Sequence, residues 1–320
     1  MIDALDPTPF VHAELRPLLP LLLPVTAAGP LTADALPAMR GATPPFLPPA
    51  DPDPAWAWRT IPGPPDAPEL RVIVIDPAGA ARTRRPAILH LHGGGFVAGS
   101  AQASLWRSQA LARDLDALVI SVEYRLAPET PFPGALNDNY AALAWLHAAA
   151  DELNVDRERI ALVGESAGGG HAAMLAVAAR DRGEYPVACQ TLIYPMLDDR
   201  TGSAIRKTAP FGAVLWNEQR NRFGWTSLLG VNAGSDNFPV GAVPARVADL
   251  AGLPPTWIGV GSIDLFHDED VDHARRLTEA GVPARLNVVP GAFHIFDVFE
   301  VGIAQAFRAD LTAWLRGALA

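Results

Sequence analysis

The chain has 320 residues, of which 49% are hydrophobic and 19% are charged, and its net charge is −10 at pH 7. This composition can fill a large core and excludes intrinsic disorder, which needs low hydrophobicity and high charge. An acidic chain without a basic run is also a poor match for a phosphate backbone, so we expect no nucleic-acid partner.

The single cysteine, Cys189, bears on the location of the protein. One thiol allows neither an intrachain disulfide nor a CxxC metal site. A reducing, intracellular setting is the simplest interpretation, so we predict a cytoplasmic protein. The apolar run Leu18–Val25 follows acidic residues and contains prolines, unlike a signal peptide, and it is too short to span a bilayer. We therefore expect no stable membrane insertion.

The order of segments along the chain predicts three parts. Residues 1–50 form an N-terminal cap segment with one or two short helices, whose apolar run should fold back onto the rest of the protein. Residues 51–197 and 240–320 form the main domain. The segment 198–239 is longer than a normal connection between secondary-structure elements and is rich in aromatic residues. Its length and composition indicate a helical cap insertion over the mouth of the fold.

Strand-like and helix-like runs alternate after residue 50. Two runs flank a turn-rich segment and predict a hairpin, Trp56–Ile61 and Leu70–Ile75. Six more are apolar on both faces, as a covered parallel sheet requires: Ala87–Leu91, Leu118–Val122, Ile160–Val163, Cys189–Ile193, Thr256–Val260 and Ala284–Val289. Helical spacing or composition predicts helices over Asn139–Ala150, Ala167–Arg182, Asp268–Ala280 and a last helix whose apolar stripe runs from Phe296 to Trp314. This alternation predicts an α/β fold.

The strongest motif is Gly164-Glu165-Ser166-Ala167-Gly168, a G-x-S-x-G. It follows the strand Ile160–Val163 and precedes a helix, which is the context in which a serine sits on a tight strand-to-helix turn with its oxygen exposed. Flanking glycines let the backbone pass closely there. The motif therefore predicts that Ser166 is a nucleophile.

A second motif, His92-Gly93-Gly94-Gly95-Phe96, follows the strand Ala87–Leu91. Consecutive glycines expose backbone N–H groups that can stabilise an oxyanion without obstruction by side chains. A phosphate-binding loop fits less well, because no Gly-Lys-Ser/Thr follows and no G-x-G-x-x-G with a ribose-binding acid is present in context. The motif therefore indicates an oxyanion hole.

These motifs make the chain resemble the hormone-sensitive-lipase-like esterase family of α/β hydrolases, in the expected order from about Ile88 to Phe296. The residues that carry the resemblance are His92–Phe96, Tyr124–Glu129, Gly164–Gly169, Tyr194-Pro195, Asp264 with Asp268-Glu269, and His294. Two departures are Glu165, where many members carry Asp, and Leu265, where many carry Pro.

The resemblance implies an α/β-hydrolase fold, with a central, mostly parallel eight-stranded sheet flanked by helices and a helical cap. It implies that residues 51–197 and 240–320 are the catalytic domain of a carboxylesterase for short- to medium-chain acyl esters. The expected partner is thus a small-molecule ester, and no metal or organic cofactor is needed. The second and third glycines, Gly94 and Gly95, are expected to form the oxyanion hole with the N–H of Ala167.

The acid and base follow from the order serine, acid, histidine that this fold uses. Asp264 comes after a late strand and is the best candidate acid, and its family position agrees. Its rivals begin the next helix, where acids favour the positive end of the dipole: Asp268, Glu269 and Asp270. His294 is the only histidine after position 273, and it follows the final strand. We therefore predict a Ser166–Asp264–His294 triad.

The acyl pocket is less defined by sequence. The aromatic-rich insertion agrees with an apolar, size-limited pocket, and the candidate substrate-binding residues are Phe96, Tyr194, Phe211, Leu215 and Ile295. An amidase, a lactonase or another acyl hydrolase could use the same triad. A non-catalytic receptor on this fold should carry a damaged triad, which this chain does not. The apolar N-terminus could also support a homodimer.

Four further side chains have structural interpretations. Arg125 and Glu129 are close enough in sequence to form a local ion pair. Glu165 should point away from substrate and bind a nearby donor that the sequence does not identify. His92 should brace the oxyanion loop. We also expect His267 and His273 to be partly solvated, because they lie near a helix start.

Overall fold

The computed structural model describes residues 6–27, 29–42, 44–77 and 84–320, and within them it forms one eight-stranded sheet. The strands are β1 Trp56–Ile61, β2 Leu70–Ile75, β3 Arg85–Leu91, β4 Leu118–Glu123, β5 Val155–Glu165, β6 Cys189–Ile193, β7 Thr256–Gly261 and β8 Ala284–Val289. Their spatial order is β1-β2-β4-β3-β5-β6-β7-β8. The pairs β1·β2 and β2·β4 are antiparallel and the other neighbours are parallel. The predicted eight-stranded, mostly parallel sheet is confirmed.

The described parts of the chain also contain α-helices on both faces of this sheet. They are α1 Leu19–Thr26, α2 Leu36–Arg40, α3 Leu105–Leu115, α4 Gly134–Ala148, α5 Ala167–Arg182, α6 Glu218–Leu229, α7 His267–Glu279 and α8 Gly302–Ala318. The bounds of α5 agree with the prediction, whereas α4 begins five residues before the predicted Asn139. Helix α3 was not predicted.

The central strands are buried because helices cover them from both sides. Strands β3, β6 and β7 are buried along their whole length. One core cluster contains Leu143 of α4 and Leu175 of α5, and the other contains Leu111 of α3 and Leu311 of α8. Parallel strands end at a common edge, so the loops after β3, β5, β7 and β8 meet there. The glycine loop, the serine turn and the loops that carry Asp264 and His294 therefore lie at this edge of the sheet.

The predicted last helix is interrupted, which corrects the sequence interpretation. A short 3-10 turn spans Phe296–Val298, the backbone of Phe299 is extended, and α8 begins only at Gly302. Phe296 and Phe299 still pack in the same core cluster as α8. The apolar spacing therefore continues across the break, because the 3-10 turn and α8 bury their apolar side chains in the same core cluster. The Glu14 carboxylate accepts a hydrogen bond from the N–H of Ile303 (3.2 Å) in the first turn of α8.

The N-terminal segment folds back onto the domain, as expected from its apolar run. Leu19 and Leu22 of α1 are buried in the cluster that contains α8. The Thr26 hydroxyl accepts a hydrogen bond from the N–H of Leu215 (2.7 Å), and Arg220 donates to the carbonyl of Val25 (2.6 Å). The N-terminal segment is thus hydrogen-bonded to the insertion, residues 198–239. Residues 1–5, 28 and 43 of the predicted segment lie outside the described residues.

The insertion, residues 198–239, contains one α-helix, α6, between turns. This helix lies on the glycine motif, since a Cβ added to Gly224 would be 2.5 Å from the carbonyl oxygen of Gly95. The boundaries of the three predicted parts stay predictions. No helix in the described ranges combines the length and the apolarity needed to cross a bilayer.

Two local expectations were wrong. Arg125 pairs with Asp138 of α4 (2.7 Å) rather than with Glu129, and Glu129 pairs with Arg40 of α2 (2.8 Å). The Asp138 side chain is nearly buried, so it is a better partner than an exposed carboxylate on the same loop. His273 is buried rather than partly solvated, and burial lowers the pKa of its ring to about 4. It lies on the buried face of α7 with Ala274 and Leu277, which helix position alone does not reveal.

Candidate active site

Ser166 occupies a strained turn between β5 and α5. Its φ is +55° and its ψ is −119°, a conformation that costs a non-glycine residue about 1–3 kcal/mol. The turn is possible only because its neighbours lack side chains: a Cβ on Gly164 would lie 2.2 Å from the carbonyl oxygen of Gly168. The Ser166 N–H donates to the carbonyl of Ile193 at the end of β6 (2.8 Å). The turn presents the serine hydroxyl at the carboxyl edge of the sheet.

The structure brings together the three residues of the predicted triad. Ser166 Oγ lies 3.0 Å from His294 Nε2, and His294 Nδ1 lies 2.8 Å from Asp264 Oδ2. The other carboxylate oxygen of Asp264 accepts a hydrogen bond from the N–H of Phe266 (3.1 Å). All three triad side chains are buried. This line of contacts can pass a proton from the hydroxyl to the imidazole while the carboxylate orients the ring.

The rival acids lie elsewhere. Asp268 is half-exposed and binds Lys207 and His267. Glu269 accepts from the N–H of Leu197 (2.7 Å), and burial raises its pKa well above the usual range. Burial and the neighbouring charge of Glu269 also raise the pKa of Asp270, whose carboxylate has no hydrogen-bond partner among the described residues. Asp264 is therefore the carboxylate that contacts His294.

The glycine motif leaves two backbone donors free. The N–H of Gly93 is engaged by Glu165 Oε1 (3.2 Å), whereas those of Gly94 and Gly95 have no acceptor in the described part of the chain. Their φ angles are +136° and +63°. A Cβ would lie 1.9 Å from the Ala98 carbonyl oxygen at Gly94, and 2.2 Å from the Trp216 ring at Gly95. Both positions thus require glycine.

The third predicted donor, the N–H of Ala167, is at the first position of α5. A helix leaves its first N–H groups without intrahelical partners, and their partial positive charge favours an anion. The Ala167 N–H belongs to the residue after the serine, whereas Gly94 and Gly95 lie in the loop after the neighbouring strand β3. The arrangement can stabilise negative charge on a carbonyl oxygen next to Ser166.

The structure identifies the hydrogen-bond donors to the Glu165 carboxylate, which the sequence did not. Its carboxylate accepts from the Ser104 hydroxyl (2.7 Å) and the N–H of Gly93, and it contacts His90 Nε2 (2.9 Å). Burial by itself would raise the pKa of this carboxyl, but the His90 ring, the nearby Arg107 guanidinium and the Ser104 hydroxyl lower it to about 2. Glu165 is thus a buried anion that joins the serine turn to the glycine loop.

His92 and His171 lie beneath the glycine loop. His92 Nδ1 is 2.9 Å from the carbonyl oxygen of Gly93, and its ring stacks on Tyr124 at a centroid distance of 4.1 Å. His171 packs edge-on against Phe96 (5.0 Å) and Tyr124 (4.7 Å), and its ring nitrogens have no partner in the described residues. Burial lowers the pKa of His92 to about 4 and that of His171 to about 3. Both rings therefore support the loop in the neutral form.

The five candidate pocket residues occupy different places. Leu215 is buried in the insertion, Ile295 is half-buried beside His294, and Phe211 contacts the His267 ring at 5.9 Å. Phe96 turns into the core beneath the glycine loop, where it packs on Trp225 and His171. Tyr194 lies behind the triad: its ring packs edge-on against His294 (4.8 Å), and its hydroxyl donates to Asp297 (2.7 Å).

Sequence reasoning missed Trp216. Its ring lies over Gly95 and 6.4 Å from the His294 ring, and its Nε1 donates to Asn221 (3.3 Å). The aromatic content of the insertion pointed to its neighbourhood, but the sequence did not indicate which aromatic residue reaches the glycine loop. Trp216 is placed to form a wall of the site.

We expect His171→Leu to weaken the acid sensitivity of the fold. Below pH 6.5 the unfolded chain protonates this histidine, whereas the folded protein does not until about pH 3, so His171 makes the fold less stable as pH falls. Between pH 7 and 5 the free energy of unfolding should drop by about 2 kcal/mol less in the variant than in the wild type. Urea titrations at the two pH values measure this difference.

Met174→Leu, on the same buried helix, is the matched control because it perturbs the packing without removing a titrating group. Equal pH dependence of His171→Leu and the wild type would contradict the assignment of a neutral buried ring.

Comparisons with known proteins agree with this geometry. A family model described as alpha/beta hydrolase fold matches residues 88–298. The chain is similar to esterase LipI of Mycobacterium tuberculosis strain H37Rv, with 34% identity over 278 residues that cover 82% of this chain and 85% of the relative. It is also similar to an ethyl acetate hydrolase of Pseudomonas putida, with 34% identity over 212 residues that cover 66% of this chain and 65% of the relative.

The similarity extends to a solved structure. A bacterial heroin esterase superposes with a TM-score of 0.84 and 35% identity, covering 98% of this chain and 100% of the other. Sequence relatives and structural neighbours therefore agree in both the fold and the kind of enzyme. The chain belongs to the hormone-sensitive-lipase-like esterase family of α/β hydrolases.

Proposed function

We propose that the protein is a serine carboxylesterase that hydrolyses short- to medium-chain acyl esters at Ser166. The observation that carries this proposal is the line of contacts from Ser166 through His294 to Asp264, at 3.0 and 2.8 Å, next to the glycine loop that contains Gly94 and Gly95. The named relatives, which are ester hydrolases, support the same reaction.

The mechanism follows from this geometry. His294 Nε2 takes the proton of the Ser166 hydroxyl as the oxygen attacks the ester carbonyl. Asp264 holds the proton on Nδ1 and stabilises the imidazolium that forms. The carbonyl oxygen becomes an oxyanion on the N–H groups of Gly94, Gly95 and Ala167.

The same groups complete the turnover. His294 returns its proton to the leaving alcohol, which departs and leaves an acyl group on Ser166. Water then enters, His294 takes a proton from this water, and the oxygen of the resulting hydroxide attacks the acyl carbonyl. Collapse of the second tetrahedral intermediate releases the carboxylic acid and returns the proton to Ser166. This cycle consumes one ester and one water and needs no cofactor.

The substrate range follows from what covers the site. The Trp216 ring lies over Gly95, and Leu215 beside it is buried and held by Thr26 of the N-terminal segment. Bulky apolar side chains this close to the oxyanion loop limit the space for an acyl chain. The ethyl acetate hydrolase among the relatives supports the short end of the proposed range.

One series of assays tests the proposal. Hydrolysis of p-nitrophenyl esters of increasing acyl length is compared with that of matched p-nitroanilides and a simple lactone, and a fluorophosphonate label is mapped by peptide mass spectrometry. We expect the highest kcat/KM on esters of short to medium length and the label on Ser166. Faster anilide or lactone turnover would favour an amidase or a lactonase, and label elsewhere would contradict the proposed nucleophile.

Changing Trp216 should shift the acyl preference. In Trp216→Leu, the smaller side chain opens space beside Gly95, so the ratio of kcat/KM for an octanoate ester to that for an acetate ester should rise at least about 10-fold. The measurement is the same p-nitrophenyl series. Trp145→Leu on α4, whose ring contacts Arg59 of β1, is the matched control. An unchanged ratio in Trp216→Leu would remove Trp216 from the pocket wall.

We also propose that the enzyme is cytoplasmic and acts on small molecules rather than on nucleic acid. Burial raises the pKa of the Cys189 thiol to about 12, which fits an inert thiol in a reducing compartment. The net charge of −10 disfavours contact with a phosphate backbone. A homodimer stays a prediction, which light scattering of the purified protein would test.

A further inference from the structure

A buried group of charged and polar side chains lies behind the triad and takes no part in the mechanism above. We call it the rear cluster: Arg107, Glu165, Tyr194 and Asp297. Arg107 Nη2 donates to Asp297 Oδ2 (2.8 Å) and to the Tyr194 hydroxyl oxygen (3.3 Å), and the Tyr194 hydroxyl donates to Asp297 Oδ1 (2.7 Å). Arg107 Nε lies 3.7 Å from Glu165 Oε2. The Arg107 side chain is 6% exposed and that of Asp297 is fully buried.

This cluster connects the serine turn and the glycine loop with the loop that carries His294. Glu165 immediately precedes Ser166 and binds the N–H of Gly93 in the glycine loop. Asp297 lies three residues after His294, and the Tyr194 ring packs against the His294 ring at 4.8 Å. Arg107 reaches these residues from α3, which contributes no residue to the triad. One guanidinium therefore bridges the serine turn and the histidine loop.

Stability alone is a weak reason for such a cluster. Two carboxylates and a guanidinium lose their hydration on burial, and well-packed apolar side chains are often as stabilising as a buried ion pair. Burial opposes the charge on Arg107, but Asp297, Tyr194 and Glu165 raise its pKa above the ordinary value, so it stays a cation. Its planar fork fixes the directions of its partners, which points to orientation as its role.

We propose that Arg107 is a positioning residue for ester hydrolysis, which holds the His294 loop and the Ser166 turn in register through Asp297, Tyr194 and Glu165. The proposal rests on the proposed function of the triad. It assigns Arg107 no contact with substrate. Misplacement of reacting groups by about 1 Å can cost about 100-fold in rate, so loss of the bridge should lower kcat more than it raises KM.

The same arrangement predicts an electrostatic signature. The titratable and charged side chains around His294 are Asp264, with Asp270 behind it, on one side, and Tyr194, Asp297, Arg107, Glu165, His90 and Arg308 on the other. The Arg107 guanidinium lies between the carboxylates of Asp297 and Glu165. Removing its charge leaves more negative potential near the imidazole, which favours the imidazolium. The acid limb of the pH–rate profile should then move to higher pH.

The test compares Arg107→Met, Arg107→Lys and the control Arg113→Met. Arg113 is on the same helix, but its side chain is 45% exposed and pairs with Asp51. In Arg107→Met we expect kcat on a p-nitrophenyl ester to fall about 10- to 100-fold, with KM within about twofold. Its acid limb should move up by about half a pH unit or more. Arg107→Lys should restore the acid limb and part of kcat, and Arg113→Met should match the wild type.

Two results would overturn the proposal: a folded Arg107→Met with kcat within about twofold of the wild type, or a loss of kcat without movement of the acid limb. If Arg107→Met does not fold, Asp297→Asn replaces it. That variant removes a negative charge and should move the acid limb to lower pH, and an unmoved limb would reject the proposal. A wild-type enzyme without esterase activity or Ser166 labelling would instead reject the proposed function, so the two failures are distinguishable.

Discussion

Ser166→Ala is expected to lower kcat for p-nitrophenyl ester hydrolysis at least about 10⁴-fold in a folded protein. In the proposed mechanism His294 activates this hydroxyl, whose oxygen lies 3.0 Å from Nε2, and no other hydroxyl hydrogen-bonds the His294 ring among the described residues. Alanine can neither attack the carbonyl nor carry the acyl group. Residual hydrolysis above the uncatalysed rate would come from the oxyanion donors alone.

Fluorophosphonate labelling gives an independent readout of the same change, because the reagent should no longer attach to the protein. Ser235→Ala is the matched control, since that hydroxyl binds the carbonyl of Asn237 in an exposed turn of the insertion. It should keep wild-type activity and labelling. Wild-type turnover by folded Ser166→Ala would end the account of Ser166 as the nucleophile.

Asp264→Asn should be nearly as damaging, with kcat lowered by about 10⁴-fold. The N–H of Phe266 donates to Asp264 Oδ1, so in the variant the amide oxygen should take that place and turn its NH₂ group toward His294 Nδ1. A donor at Nδ1 forces the ring proton onto Nε2. The ring then presents a proton, rather than a lone pair, to the hydroxyl of Ser166 and cannot act as base.

Asp268→Asn is the control for this variant, because it makes the same chemical change four residues away, on a half-exposed side chain that binds Lys207. It should change kcat by less than about twofold. If folded Asp264→Asn retained more than about a tenth of wild-type kcat, another group would have to orient His294. Circular dichroism and thermal melting of both variants establish that any loss is not unfolding.

The strand pattern was predictable because a sheet covered on both faces leaves continuous apolar runs in the chain. The predicted bounds of β1, β2, β6 and β8 agree with the structure. Strand β5 begins five residues before the predicted Ile160, because the buried Val155 is followed by four charged, more exposed residues, so its first part carries no apolar run. The break before α8 was not predictable from spacing, because the residues on either side of it bury the same apolar face.

The candidate triad was accessible for a similar reason. In this fold each member follows a particular strand, so motif context and chain order in the sequence indicate Ser166, Asp264 and His294. The structure adds the distances between them and shows that Asp268, Glu269 and Asp270 lie away from the ring. The catalytic roles proposed for Ser166, Asp264 and His294 are what the variants above test.

Other features depended on contacts between distant segments. Arg107 meets Asp297 across 190 positions, and Thr26 meets Leu215 across 189. Nothing local in the chain marks either pair, because a lone arginine or threonine has the same sequence context whether it is solvated or buried. The burial of His273 and the position of Trp216 over Gly95 are of the same kind.

The sequence by itself determined the fold class, the strand-to-helix turn at Ser166 and the glycine loop, because these depend on residue types and spacing within short stretches. Only the tertiary structure decided which donors hold Glu165, which aromatic ring covers the oxyanion loop and which cation lies behind His294. Those choices depend on how helices and loops far apart in the chain pack at one edge of the sheet. Packing of that kind places a side chain by the shape and charge of its neighbours, which local sequence does not encode.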